Sequence, residues 1–338
     1  MARIDGAHSA PTLEDVARIA GVSRATVSRV VNGGTLVAAK TTEAVREAIN
    51  EIGYHPNRAA RSLVTRRTGV IAVIVPETDE RVFSDPFFPQ AYHGALQAFA
   101  DSDVQVVLAM GRPGDTAAHM VRYLDSGHVD GAIIISHHGP ELGRALERSW
   151  QPVVFVGDPE APGIYHVAFD NEQAARTATE HLIERGSRRI ATITGPLDME
   201  SGRRRLTGFQ QAMTAAGLDP SWYVEGGYTS PSGTESARRL LAEHPDLDGI
   251  FVANDLMAVT AMQEVQRSGR RVPEDVRIVG FDDAAVAQQC TPQLTTMTNL
   301  AALHTRMAAE MLIDLLAGES PENPRMVPPS QLVVRGSA

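Results

Sequence analysis

From residue 69 almost to its end, this chain alternates strand-length apolar runs with stretches of helical periodicity, and that alternation limits its fold more than any other feature. Apolar runs predict strands over 70–75, 104–109, 131–135 and 153–156, with helices over 89–101, 116–126 and 140–149 between them. The pattern then repeats. Helix 172–185, strand 189–194, helix 202–216 and a strand near Val224 are followed by helix 233–243, strand 249–252, helix 257–268 and strand 276–280. A last strand over 294–298, a helix over 303–316 and a single strand over 326–334 complete it. Alternation of this kind predicts parallel sheets flanked by helices, whose ligands bind beyond the carboxyl ends of the strands.

Ahead of that body, 12–32 reads as two short helices joined by a tight turn. Thr12 and Asp15 form a Thr-x-x-Asp capping box, so the Thr12 hydroxyl can accept a helix-start N–H. Leu13, Val16, Ala17 and Ala20 recur at helical spacing, Gly21 stands where the turn needs positive φ, and Ser23 suits the second N-cap. Val27, Val30 and Val31 face back toward the first helix, which leaves Arg24, Ala25, Ser28 and Arg29 on the open face. Two arginines and hydroxyls with no carboxylate suit a helix lying in a DNA major groove. A third helix over 40–52, through Val45, Ala48 and Ile49, completes a small core. The segment 56–63 starts with Pro56 at N1 but is too short to hold a helix alone in water.

These residues resemble the DNA-binding headpiece of the lactose-repressor (LacI) family of bacterial transcription regulators. The match runs through Thr12-Leu13, Asp15-Val16-Ala17, Ala20-Gly21-Val22-Ser23, the stretch 26–32, Gly53-Tyr54, Pro56-Asn57 and Leu63. The resemblance implies that Thr12, Ser23, Thr26, Asn32 and Tyr54 join the open-face residues at DNA. Arg24 and Ala25 then set operator preference, and Arg29 reads a base edge or anchors register. It also implies that 57–63, matching Asn-x-x-Ala-x-x-Leu, is a hinge helix that orders on DNA. Paired with its copy in a second subunit, it places Asn57, Ala60 and Leu63 at the minor groove, with Leu63 wedged between base pairs. Two positions depart from the family: Ala38 stands where a capping Ser is usual, and Thr42 where an Arg is common. The first is expected to weaken the start of the third helix by about 1 kcal/mol unless Thr41 or Thr42 caps one turn later.

The expected organisation is a disordered lead over 1–11, a helix-turn-helix headpiece over 12–55, a hinge helix and linker over 56–68, and an effector-binding and dimerisation body over 69–338. The resemblance implies the fold class: an all-α headpiece plus an α/β body like the periplasmic sugar-binding proteins, with two interleaved parallel-sheet lobes facing each other across a cleft. Charge agrees with this division. Residues 1–68 carry ten Lys and Arg against six Asp and Glu, a balance of +4 in a chain whose net charge is −10. A basic head on an acidic body suits a regulator that touches phosphates with one end only. Cys290 is the sole cysteine, which excludes an intrachain disulfide and a Cys-rich metal site. Residues 1–11 lack an apolar h-region and no apolar run approaches the roughly 20 residues of a membrane span, so a cytoplasmic location is expected.

Enzyme signatures are missing: Gly-x-Gly-x-x-Gly, Gly-x-x-x-x-Gly-Lys and Gly-x-Ser-x-Gly do not occur, and no cofactor is implied. His137 and His138 are adjacent, so on a strand they point to opposite faces and cannot chelate one metal together. The strand ends instead carry material suited to sugars. Phe87 and Phe88, after the first strand, offer aromatic faces for pyranose C–H surfaces, and one of the two is expected in the core. By resemblance, Arg203 makes forked hydrogen bonds to ligand hydroxyls, with Arg204 and Arg205 pointing elsewhere. Asn254 and Asp282 align with the family's remaining polar anchors, while Asp255 and Asp283 are expected to cap helices. Tyr228 closes the pocket, and Phe169 and His137 are further candidates. One Arg and one Asp balance, which favours a neutral mono-, di- or oligosaccharide over an anion.

The reading is a homodimeric transcriptional repressor that binds operator DNA and is relieved by a saccharide, with neither enzymatic activity nor a membrane partner. Its rivals are a regulator of the same family that needs a purine or other corepressor, and a sugar solute-binding protein.

Overall fold

The structure, a computed structural model, describes residues 11–31, 37–54, 67–111 and 117–338. The expected lead (apart from Pro11), Asn32 and the hinge positions Asn57, Ala60 and Leu63 lie outside the described residues. Two compact units form, Met1–Thr68 and Gly69–Ala338.

In the first unit, α1 (Leu13–Ala20) begins at the anticipated capping box: the Asp15 N–H donates to Thr12 Oγ1 at 3.3 Å and the Thr12 N–H to Asp15 Oδ2 at 3.0 Å. Gly21 ends the helix in the left-handed region, φ 65°, where a residue with a Cβ would be strained. In α2 (Arg24–Val31) the first turn is capped by Ser23 Oγ, which accepts the Thr26 N–H at 3.1 Å. The third helix, α3 (Ala39–Ile52), starts at Ala38 with no side-chain cap, so neither Thr41 nor Thr42 takes over that role. Val16, Ala17, Val27, Val45, Ala48 and Tyr54 make the core.

The second unit holds two lobes. In lobe 1 the strands are β1 (Val70–Val75), β2 (Gln105–Met110), β3 (Gly131–Ile135), β4 (Val153–Val156) and β5 (Tyr165–Ala168). Its helices are α4 (Asp79–Ser84), α5 (Phe87–Ala98), α6 (Ala117–Asp125) and α7 (Glu141–Leu146). Lobe 2 follows with α8 (Asn171–Glu184), β6 (Ile190–Thr194), α9 (Glu200–Ala215), β7 (Tyr223–Glu225), α10 (Ser230–Glu243) and β8 (Gly249–Val252). It continues through α11 (Asp255–Arg267), β9 (Arg277–Asp282), α12 (Ala285–Gln289) and β10 (Thr295–Thr298). The chain then returns to lobe 1 as α13 (Ala301–Ala317) and β11 (Arg325–Met326), and ends in lobe 2 as β12 (Leu332–Val333).

Helices cover both faces of each sheet, so both faces of a strand are apolar. Along β1, Ile71, Val73 and Val75 enter one core cluster while Ala72 and Ile74 enter the other, the two-residue alternation of a strand. The strand order is β2-β1-β3-β4-β5-β11 in lobe 1 and β7-β6-β8-β9-β10-β12 in lobe 2, all parallel except β10 with β12. Four features depart from expectation. The single strand over 326–334 is two short ones in different sheets, because Pro328 and Pro329 between them have no N–H to give a ladder. Strand β5 and helices α4 and α12 were not foreseen, each being too short to show a period.

Candidate functional site

On the headpiece, Arg24, Ala25 and Arg29 are exposed, and Thr26 and Ser28 are half-buried on the same helix. Arg24 Nε meets Glu14 Oε1 at 3.0 Å, with both side chains mostly in solvent. A pair this exposed contributes at most about 1 kcal/mol, so a phosphate or a base edge can displace Glu14. Thr12 and Ser23 are exposed caps. Arg18 bonds to Asp15 and, together with the Thr12 cap, pulls the Asp15 carboxyl down to about 2. Tyr54 differs from expectation: it is 5% exposed and belongs to the small core, where it braces α3 against the other two helices.

In the second unit both lobes have the order 2-1-3-4-5 in their first five strands, which reverses direction between the first strand and the third. Ligands collect at such reversals, because the loops leaving the two strands diverge and open a crevice. In lobe 1 the loops after β1 and β3 bring Arg81, Asp85, Ser136 and His137 into one cavity. In lobe 2 the segments after β6 and β8 bring Ser201, Arg205 and Asn254. Phe169 and Asn299, on two of the stretches that cross between the lobes, line it too. The cavity opens to solvent and, with its open mouth included, holds about 740 Å³ of atom-free space.

Arg205 is the central cation. It is 6% exposed, donates from Nε to Asn171 Oδ1 at 2.9 Å and from Nη1 to the Ala253 carbonyl, and its guanidinium carbon stands 3.6 Å from the centre of the Phe281 ring. Arg203, expected at the ligand, is instead bound to the Leu197 carbonyl at 2.9 Å and to Glu160, half-exposed outside the cavity lining. Helical phase explains the exchange. Gly202, Arg205, Gly208, Phe209 and Ala212 form the buried stripe of α9, and a residue two positions before Arg205 lies on the opposite side. Phe87 lines the cavity, whereas Phe88 is 3% exposed in the lobe 1 core, with its ring edge-on to Phe87 at 5.3 Å.

Asn254 both lines the cavity and works as the N-cap of α11: its Oδ1 accepts the Met257 N–H at 3.0 Å, and its Nδ2 donates to the Tyr228 carbonyl at 3.0 Å. The caps expected of Asp255 and Asp283 are therefore absent. Asp255, fully buried, accepts the Ala284 N–H and the Thr296 hydroxyl at 2.8 and 2.6 Å, and Asp283 pairs with Arg335. The hydroxyl end of the Tyr228 ring packs against Gly195, where an added Cβ would come within 2.1 Å of it, and the hydroxyl lies 3.1 Å from Ser201 Oγ. Ser136, Tyr228 and Asp282 line the cavity with positive φ (59°, 58° and 116°) that only Gly adopts freely, local strain concentrated where the strands end.

Burial sets the electrostatics. It pushes Asp282 up to about 7, against the pull of Arg205 and the 2.9 Å hydrogen bond from Asn299. Glu200 also rises to about 7 through burial, and burial raises Asp85 and Asp255. His304 falls to about 4 and His137 is lowered, so both are neutral near pH 7. At the lobe 1 wall, Arg81 is paired with Glu77, which also accepts Ser136 Oγ–H at 2.7 Å and bonds His138 Nε2 at 3.1 Å. His138 reaches across to lobe 2, where its Nδ1 meets Asp198 Oδ2 at 2.9 Å, and the carboxylates of Glu77 and Asp198 raise its pKa. Against burial, His138 and Arg81 hold the Glu77 carboxyl below its usual range, so Glu77 balances Arg81, whereas the carboxyls near Arg205 are driven toward neutrality by burial.

Sequence reasoning placed Phe87, His137, Phe169, Tyr228, Asn254 and Asp282, and all six line the cavity. It missed Arg81, Arg205 and His304. Arg205 was legible from its spacing to Gly208 and Phe209; Arg81 sits on a six-residue helix, and His304 appears only when α13 returns to lobe 1.

Comparison with known proteins agrees with this architecture. Residues 12–57 match the bacterial regulatory proteins of the lacI family, and 179–338 match the periplasmic binding protein-like domain. The HTH-type transcriptional regulator CelR of Thermobifida fusca is 43% identical over 333 residues, covering 97% of this chain and 98% of its own. A solved CelR–cellobiose complex is 41% identical with a TM-score of 0.75, covering 97% of this chain and all of that one. A lac repressor dimer bound to operator and the anti-inducer ONPF is 30% identical with a TM-score of 0.88, covering 97% of this chain and 99% of that one. These relatives are transcription regulators rather than enzymes. The chain belongs to the LacI family of bacterial regulatory proteins and is a DNA-binding transcriptional regulator.

Proposed function

We propose that two copies of this chain bind a pseudo-palindromic operator in the cytoplasm, and that a neutral saccharide in the body's cavity relieves repression. The observation that carries the effector class is the pairing of Arg205 and Asp282 with an aromatic wall. A forked donor and a carboxyl that can accept or donate suit vicinal hydroxyls, and Phe169 and Tyr228 suit sugar C–H faces. The cellobiose complex of a relative 41% identical to this chain supports a β-linked glucose disaccharide as the first effector to try.

The ligand would touch both lobes, so it binds the closed arrangement better and shifts the population toward closure. Residues 56–68 connect lobe 1 to the headpiece, and closure in each subunit changes the spacing at which the two hinges can share one minor groove. Saccharide then loosens operator binding by about 1–3 kcal/mol, and operator weakens saccharide binding by the same factor. The test is a salt-controlled gel shift with promoter DNA, titrated with cellobiose, glucose and a purine. Release by cellobiose supports the reading; tightening by the purine, or saccharide binding with no change in operator affinity, overturns it. Within the same assay Arg29→Ala is expected to cost about 1–3 kcal/mol of operator affinity, and Leu63→Gly to remove most of the DNA bend.

A further inference from the structure

Two nitrogens in the cavity wall are buried and bonded to nothing among the described residues: Arg81 Nε and His304 Nε2. The two residues are 9% and 3% exposed, and both line the cavity from lobe 1. A buried polar atom without a partner costs free energy on folding, and a site that keeps two of them is built for something that supplies the missing bonds.

Each orphan stands beside an aromatic ring. The Arg81 guanidinium carbon is 5.0 Å from the centre of the Tyr228 ring, and the His304 ring is 5.1 Å from that of Phe169. Arg205 occupies the ground between them: its guanidinium carbon is 5.9 Å from the Tyr228 ring and 3.6 Å from Phe281, which is in turn 6.1 Å from Phe169. We infer that these are two stations of one binding site, Tyr228 with Arg81 and Phe169 with His304, each receiving one ring of a saccharide at least two rings long. Arg81 Nε–H donates to a hydroxyl oxygen at the first station, and His304 Nε2 exchanges a hydrogen bond with a hydroxyl at the second. Glu77 already balances the Arg81 charge, so the first station rejects a uronate as readily as an amine, and the neutral His304 does the same at the second.

This inference rests on the saccharide reading above and adds which residues set the length of the effector. Calorimetric titration of the full-length protein with cellobiose, glucose and a set of monodeoxy cellobioses tests it. The wild type is expected to bind cellobiose at least tenfold more tightly than glucose. His304→Leu and Arg81→Met each lose tenfold or more in cellobiose affinity while glucose affinity changes far less. Because removing Arg81 strands the buried Glu77, Glu77→Gln/Arg81→Met is measured beside it, with thermal unfolding to verify the fold. The decisive readout is the deoxy series. Removing one hydroxyl costs the wild type tenfold but costs the Arg81 variant nothing, and a hydroxyl on the other ring shows the same relation to His304→Leu. If both variants become indifferent to the same ring, or to neither, the two-station assignment is overturned. If the wild type binds none of the sugars, the saccharide reading itself falls.

Discussion

The two lobes share a strand order and place their pocket residues at the same reversal, yet they finish the site differently. In lobe 2 the polar groups hold one another: Arg205 is tied to Asn171 and Ala253, and Asn254 is spent on α11 and on Tyr228. In lobe 1, Arg81 gives part of its fork to Glu77, and it and His304 each keep a buried nitrogen in reserve. A wall satisfied in advance orients a ligand without rearranging, whereas a wall with unmet hydrogen bonds gains most when the ligand arrives. The difference makes lobe 2 the anchor and lobe 1 the side that discriminates.

The sharpest way to break this comparison is to remove the anchor. Arg205→Met is expected to weaken cellobiose binding by a hundredfold or more, about 3 kcal/mol, and to abolish the operator response. Arg203→Met, two positions earlier on α9, is expected to change it less than twofold. Equal losses for the two variants, read by calorimetry, would return the anchoring role to Arg203.

A pH series sharpens the contrast without any ligand. Asp282 and Glu200 have folded-state values near 7, above their unfolded ones, so each favours the fold when protonated and that contribution is lost as pH rises through 7. His138, also raised, acts with the same sign; the lowered His304 opposes them only below its unfolded value near 6.5. Between pH 6.5 and 8 the body is therefore expected to lose stability, on the order of 1 kcal/mol for each of the two carboxyls. Asp282→Asn should flatten the thermal-unfolding midpoint plotted against pH; a curve as steep as that of the wild type would mean that Asp282 does not titrate between pH 6.5 and 8.

Smallest is the effect of Asn254→Ala, which removes the cap of α11 and the bond to the Tyr228 carbonyl. It is expected to cost about 1 kcal/mol in a urea melt. No loss at all would show that the preset bonding of lobe 2 contributes nothing to its rigidity.

Local chemistry was legible where it acts over one turn. The Thr12–Asp15 box, the Gly21 turn and the Ser23 cap are determined by neighbours three residues apart, and each formed as read. The six-residue apolar run of β1 announced a strand covered on both faces. Arg205 shows a different kind of limit: its phase was present in the spacing to Gly208 and Phe209, but three consecutive arginines look alike until the buried stripe of the helix is drawn. Tyr54 misled for a related reason, since a tyrosine beside a DNA-binding helix reads equally well as a contact or as a core ring.

What the sequence determined by itself was the kind of elements, their order and the division into a basic headpiece and an acidic α/β body. Those follow from periodicity, capping and charge counted along the chain. Tertiary structure alone brought Arg81 and His304 together in the cavity's lobe 1 wall. Arg81 is separated by more than two hundred residues from His304, and α13 reaches lobe 1 only after the chain has built the whole of lobe 2. Which nitrogen is buried, and which is left without a partner, depends on atoms contributed by strands and helices far apart in sequence, and no local pattern records that sum.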